Sequence, residues 1–201
     1  MFALVESGKI TKYLNGNKGV TIGDKQYPKA IFGLWSKDER EAIGIYEIEI
    51  DNTNKKDEKW YINTDITYSF GSGKVTGSYG TATAKAHADS LFTAQDETDG
   101  LGAEGDVKSE GLKTILIRNL KSQAANELKN TDWYIIRKAD KGTAIPSNIQ
   151  TWRDAIRTKA TEMETAISDC SSVDDIAKLW LKVDEDGKKS GILYDWPSLG
   201  S

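Results

Sequence analysis

At 201 residues, with 27 basic against 31 acidic side chains and a formal net charge of −4, the chain has room for one domain or two small ones. It lacks the basic excess on which generic nucleic-acid binding draws. A hydrophobic share of 38% with 9% aromatics excludes a disordered chain, and no apolar run approaches the roughly 18 residues of a membrane span.

The first elements are short and β-capable. Phe2–Glu6 and Lys9–Leu14 flank Ser7-Gly8 and read as a hairpin. An acid at position 6 interrupts the opening where a signal peptide would still be apolar, so no secretory signal is expected and synthesis in a reducing cytoplasm is. After a turn at 15–19, Val20–Ile22 and Gln26-Tyr27 flank Gly23-Asp24-Lys25 as a second hairpin. Pro28 suits the first position of a short helix whose buried side would hold Ile31, Phe32, Leu34 and Trp35. Ser36-Lys37-Asp38-Glu39 has capping-box spacing and starts a second short helix that Gly44 ends. Residues 45–50 alternate as a strand with one wet and one dry face.

A charged loop over 51–59 leads to the strongest strand pattern. Trp60, Ile62, Thr64, Ile66, Tyr68 and Phe70 share one face, Gly71-Ser72-Gly73 turns the chain, and 74–81 returns with Tyr79. A hairpin alone is marginal in water, so its dry face must rest on earlier strands, on the short helices or on another chain. Trp60, Ile62, Ile66, Tyr68, Phe70 and Tyr79 are therefore candidate interface residues. The Gly71–Thr76 stretch lacks the first glycine and the following helix of a phosphate loop. The segment 96–110, rich in Gly and acid and poor in apolar residues, reads as a linker between a β-rich domain over 1–95 and a helical domain over 111–201.

In the second half Leu112, Leu116, Leu120, Ala124 and Leu128 recur every four residues, with Ile115 and Ile117 widening the stripe. Thr131 or Asp132 is placed to cap the next helix, with Trp133 and Ile136 facing inward, and Gly142 is the natural stop. Burial of Trp133 predicts a loss of ~3–5 kcal/mol on Trp133→Ala, whereas a near-neutral change would place it at an interface. Pro146 opens a third helix whose seam is Ile149, Trp152, Ile156, Ala160, Met163 and Ile167. That seam is either core of this chain or a coiled coil with symmetry mates. Ser172 starts a fourth helix carrying Ile176, Leu179 and Trp180. The aromatic ending with Tyr194 and Trp196 either folds back as a lid or docks on a neighbouring chain, which makes both residues candidate contacts. Trp133, Gly142, Pro146 and Trp152 are the expected structural residues. The fold class expected from all this is α+β: an antiparallel β-rich N-terminal domain with short helices, then a C-terminal bundle of three to four helices.

No arrangement of residues suited to chemistry stands out. Cys170 is the single cysteine, which excludes an internal disulfide, and His87, the single histidine, lies far from it in sequence. The acids at 96–104 and 184–186 fail the calcium-loop pattern, so no metal and no cofactor is expected. Asp65 is the one acid set amid aromatics, and no carboxylate pair has a setting that would separate its acidities. The chain is expected not to be an enzyme.

One stretch carries a family flavour. Leu128-x-x-Thr131-Asp132-Trp133-Tyr134-x-x-Arg137, then Gly142-x-x-Ile145-Pro146, then Trp152-Arg153-x-x-Ile156-Arg157 resembles the C-terminal helical module of bacteriophage tail proteins of the fibre, assembly and structural kinds. A tyrosine more often stands where Trp152 does. The helix over 172–180, the Trp196-Pro197 ending and the opening eight residues with Tyr27-Pro28 and 42–46 are also similar to such proteins. The resemblance covers about half of the chain and brings no catalytic residues. It implies a virion structural protein of the tail, made in the host cytoplasm and contacting other tail proteins, with a homo-oligomeric trimer or hexamer expected and neither nucleic acid nor membrane as partner. The alternative is a tail assembly chaperone that is absent from the mature particle.

Overall fold

The structure, a computed structural model, describes residues 1–180, 182–183 and 189–199. It is mixed α and β, with a β-rich N-terminal part and the long helices toward the C-terminus. The chain divides into two compact units, Met1–Thr83 and Ala84–Ser201. The division precedes the expected linker, which lies wholly inside the second unit.

In the first unit, β1 (Phe2–Glu6), β2 (Lys9–Leu14), β5 (Ile45–Asp51), β7 (Ile66–Gly71) and β8 (Lys74–Tyr79) form one sheet in the order β2-β1-β5-β8-β7. Both of its tight hairpins turn on a Ser-Gly pair with positive φ, at Ser7-Gly8 and Ser72-Gly73. That geometry matches the right-handed twist of the flanking strands. The pairs are antiparallel except for β5 with β8, which run parallel because the chain crosses over through residues 52–65 and β7 before β8 returns.

The sheet buries both faces. On one, Leu4 and Ile45 are covered by Val20 and Ile31. These come from the small hairpin β3 (Val20–Ile22) with β4 (Lys25–Tyr27) and from the short helix α1 (Ile31–Leu34). Pro28 lies ahead of that helix and accepts the Ile31 amide, rather than standing as its first residue. Leu34, expected inside, is exposed. A four-residue helix presents only one apolar edge, and Ile31 occupies it. The Ser36 capping box of α2 (Lys37–Glu41) forms as expected. On the other face Ala3, Val5, Ile48 and Val75 are packed over by Ile10, Tyr46, Tyr68 and Phe70. The two edge strands approach each other here, and the rings of Tyr13 and Tyr68 meet at 5.0 Å. The sheet thus curls round its own aromatic face. Gly77 makes room for this, since a Cβ there would lie 2.7 Å from the Tyr68 ring.

The long strand expected over 60–70 is broken. β6 (Tyr61–Ile62) and β7 are separated by residues 63–65, where the Asn63 amide pairs with both backbone groups of Lys56 and Thr64 Oγ1 accepts the Gly80 amide. Side chains here satisfy backbone groups that a strand would have placed in a ladder. β9 (Thr83–Ala84) spans the point of division between the units.

The segment expected to be a linker lies early in the second unit and is folded. β10 (Ser90–Leu91) pairs antiparallel with β11 (Val107–Ser109), and between them lies α3 (Ala94–Thr98). Thr93 and Asp96 form a reciprocal cap on α3, and Lys108 reaches Asp96 at 2.7 Å. Gly102 lies so close under the Phe92 ring that a Cβ would clash with it. Hydrogen bonds to the backbone and one ring order this stretch without much apolar burial.

α4 (Leu112–Lys129) and α6 (Ser147–Ser168) form the body of this unit. They are antiparallel: Lys113 at the start of α4 donates to the Ser168 carbonyl near the end of α6, and Arg153 near the start of α6 donates to the Leu128 carbonyl. Leu120, Met163, Ile167 and Leu193 make a core, joined by Leu116, Ile117, Leu179, Trp180, Ile192 and Trp196. The seam of α6 is therefore core of this chain. α7 (Val173–Lys178) is capped by Ser172, which accepts the Asp175 amide, and buries Ile176 completely. A 3-10 turn at Ile192–Tyr194 packs on the same core together with Trp196, so the aromatic ending is a lid. The Trp152 indole donates to the Pro197 carbonyl at 2.9 Å, and Lys159 reaches Asp195. The acids at 184–186 lie outside the described residues.

Candidate interaction surface

Of the three longer helices of this unit, α5 (Asp132–Lys141) is the one with no buried residue. Its sequence places Trp133, Tyr134, Ile135 and Ile136 consecutively, so apolar side chains point all round the helix. Tyr134 and Arg137 turn toward the body of the unit and are half-buried, while Trp133 is 49% and Ile136 67% exposed. Trp133 and Ile136 were expected to face inward and do not. Ile135, Ile136 and Ala139 lie opposite Arg137, Lys138 and Lys141 on the helix, and the side of Tyr134 and Arg137, not the apolar one, is the more buried. Gly142 stops the helix in the left-handed conformation, φ 68°, and its N–H reaches the Lys138 carbonyl. Pro146 stands at the N-cap of α6.

The start of α5 is held firmly. Arg153, 4% exposed on α6, donates to the Leu128 carbonyl at 3.0 Å, to Thr131 Oγ1 at 2.6 Å and to Asp132 Oδ1 at 2.8 Å. Thr131, itself buried, donates a hydrogen bond from its hydroxyl to the same Leu128 carbonyl. Neither Thr131 nor Asp132 caps α5 as expected. Their side chains bind α4 and α6 instead, so the elbow between α4 and α5 is tied to α6 at three points. Sequence reasoning assigned no role to Arg153, because a charged residue beside Trp152 does not look like a seam position. Its place in the spacing 149, 153, 156, 160, 163, 167 is the signal that could have found it.

Above this anchor the exposed face is preorganised. The Trp133 and Tyr134 rings stack at 3.8 Å between centroids. The Arg137 guanidinium lies 4.8 Å from the Trp133 centroid and 5.3 Å from that of Tyr134. Its Nε has no hydrogen-bond partner among the described residues, which is consistent with a cation seated on rings. A clamped Trp and Arg with adjacent isoleucines has the composition of a protein-contact hot spot, where aromatic and arginine side chains carry most of the energy.

The other expected contact residues fare differently. Trp60 is buried, with Lys59 over its ring, and Tyr68 and Phe70 belong to the curled sheet's packed face. Trp196 is in the helical core and Trp152 is half-buried against the tail. Ile66 and Tyr79 are half-buried, Tyr194 is just exposed, and Ile62 is fully so at 60%. Asp65 is a solvated residue. Burial, with the Asp175 charge next, pushes the Cys170 thiol up, and its sulfur donates to the Ala166 carbonyl. Comparison of the chain with protein-family models, with curated proteins and with solved structures gives no match.

Proposed function

We propose that this chain is a structural subunit of a bacteriophage tail, a fibre, baseplate or adaptor component that works through contacts with other tail proteins and catalyses nothing. The observation that carries the reading is α5, with Trp133, Ile135 and Ile136 left open on a helix whose base is fixed by Arg153. A rigidly held, uncovered aromatic and aliphatic face serves binding, because little side-chain order is lost when it is covered. The resemblance of the Thr131–Arg137 and Trp152–Arg157 stretches to tail-protein modules supplies the setting. Synthesis in the host cytoplasm, a place in the virion and a homo-oligomer belong to the same reading.

The decisive experiment is mass spectrometry of purified particles together with infected-cell lysates. The chain is expected in mature virions at a stoichiometry that is a multiple of three. Recovery only from lysate complexes with other tail proteins would replace this reading with an assembly chaperone. Absence from both would remove the tail assignment.

A further inference from the structure

We infer that Asn15-Gly16, in the turn that joins β2 to β3, is a self-modifying site: the Asn15 side chain loses ammonia through a cyclic imide, and position 15 ends as an aspartyl or isoaspartyl residue. This holds whether or not the chain belongs to a tail.

Asn15 is the one asparagine of the chain followed by glycine. The absent Cβ leaves the glycine nitrogen unhindered and its backbone free to turn toward the side chain. In the reaction the Gly16 nitrogen bonds to Asn15 Cγ and gives its proton to water, the bond from Cγ to Nδ2 breaks, and Nδ2 departs as ammonia. One water then opens the imide. Attack at Cγ restores the ordinary backbone with a carboxylate at position 15. Attack at the former main-chain carbonyl leaves the chain running through Cγ, longer by a methylene. Nothing is oxidised or reduced, and water is the only co-reactant.

The local structure favours the reaction at this turn. Asn15 is exposed and stands outside any strand or helix, so no ladder fixes its dihedrals. The Asn17 amide donates to Asn15 Oδ1 at 3.4 Å. That contact folds the side chain back along its own backbone and sets a donor at the oxygen that gains negative charge when Cγ is attacked. The Gly16 amide makes no hydrogen bond among the described residues. Other positions are restrained: Asn63 is bonded at both ends to Lys56, and the Asn54 amide donates to the Tyr79 carbonyl. In Asp99-Gly100 the glycine amide is engaged by the Glu97 carbonyl at 3.0 Å. The two products differ in effect. Gly16 has φ 72° and lies close under Phe2 and Phe32, which stand 3.3 Å and 3.4 Å from the place a Cβ would take. Those rings pack at 5.1 Å over the buried face of Leu4 and Ile45, so an added main-chain methylene pushes into them. The aspartyl product keeps the backbone and adds a charge to a cleft shared with Lys12 and Lys18.

The test is peptide mapping of the full chain held for weeks at neutral and at mildly alkaline pH, beside the same chain unfolded in urea. The tryptic peptide 13–18 is expected to exchange an NH2 for an OH, as two isomers of equal mass, one of which accepts a methyl group from an isoaspartyl methyltransferase. The rate should rise with pH, because the attacking nitrogen must shed its proton. It should stay within about tenfold of the rate in urea, the small protection of an open turn. Aged chain should melt earlier than fresh chain, Asn15→Asp should melt as fresh chain does, and Asn15→Ser should show no change with age. A peptide that stays unaltered in the folded chain while the chain in urea reacts overturns the inference, as does a peptide unaltered in both. An aged chain that gains the mass and melts as before refutes the push on Phe2 and Phe32.

Discussion

Removing the carboxylate of Asp132 offers a direct measure of how firmly α5 is anchored. In Asp132→Ala the buried Arg153 keeps its bonds to the Leu128 carbonyl and Thr131 Oγ1 but loses the one anion paired with it among the described residues. Breaking a fully buried pair from one side costs about 3–5 kcal/mol. Here the Asp132 side chain is 54% exposed, so water screens the pair and the expected loss falls to about 2 kcal/mol. Arg153→Met gives up three hydrogen bonds but also removes the desolvated charge, and the Leu128 carbonyl stays occupied by the Thr131 amide and hydroxyl. The net expected loss is again about 2 kcal/mol. Because both variants delete the same interaction, the double variant should cost little more than either single one, a coupling of ~1–2 kcal/mol. Thermal melts followed by far-ultraviolet circular dichroism would read about 4 °C per kcal/mol for a unit of this size. Additive losses, or an Asp132→Ala variant as stable as the parent, would refute the claim that this cluster ties the elbow to α6.

Three further outcomes follow from named contacts. Trp133→Ala should cost only about 1 kcal/mol in a melt, since half the ring is already in water, whereas Ile156→Ala, fully buried on the same unit, should cost about 3 kcal/mol. Gly77→Ala should destabilise the first unit by about 1–3 kcal/mol in urea titration, because the added methyl meets the Tyr68 ring at 2.7 Å. Hydrogen bonding from Lys108 and the Thr93 amide and hydroxyl lowers Asp96 to about 2. Its folded value lies below the unfolded 3.8, so its contribution is complete above that pH and is lost as pH falls toward 2. Amide exchange of Thr93 and Asp96 should accelerate over that window, and Asp96→Asn should abolish the dependence.

Much of the fold was legible because local chemistry specified it. Ser7-Gly8 and Gly71-Ser72-Gly73 announce their hairpins, and Ser36 with Glu39 announces a cap, since each acts within a few residues. What escaped reading depends on groups distant in sequence. The break in the expected 60–70 strand requires Asn63 to reach Lys56 and Gly80 to reach Thr64. The acidic, Gly-rich 96–110 stretch looks unfoldable by composition, yet Thr93, Asp96 and Lys108 order it through bonds rather than burial. At α5 the more apolar side of the helix is the one left open. Trp133 was assigned inward, and nothing nearby in sequence signals that Arg153 of α6 reaches Thr131 and Asp132 on the inner side instead.

The lid formed by Ile192, Leu193 and Trp196 has a consequence for synthesis. The core residues Met163 and Ile167 are made well before the residues that cover them. While the chain emerges from the ribosome, the curled sheet of residues 1–83 can close on contacts wholly within itself. The helical unit cannot close until residues 192–197 are free. A chain broken off earlier would present a greasy α4–α6 pair to chaperones and proteases, which recognise such surface. The late arrival of a few apolar residues thus makes closure of this core wait until translation has passed them.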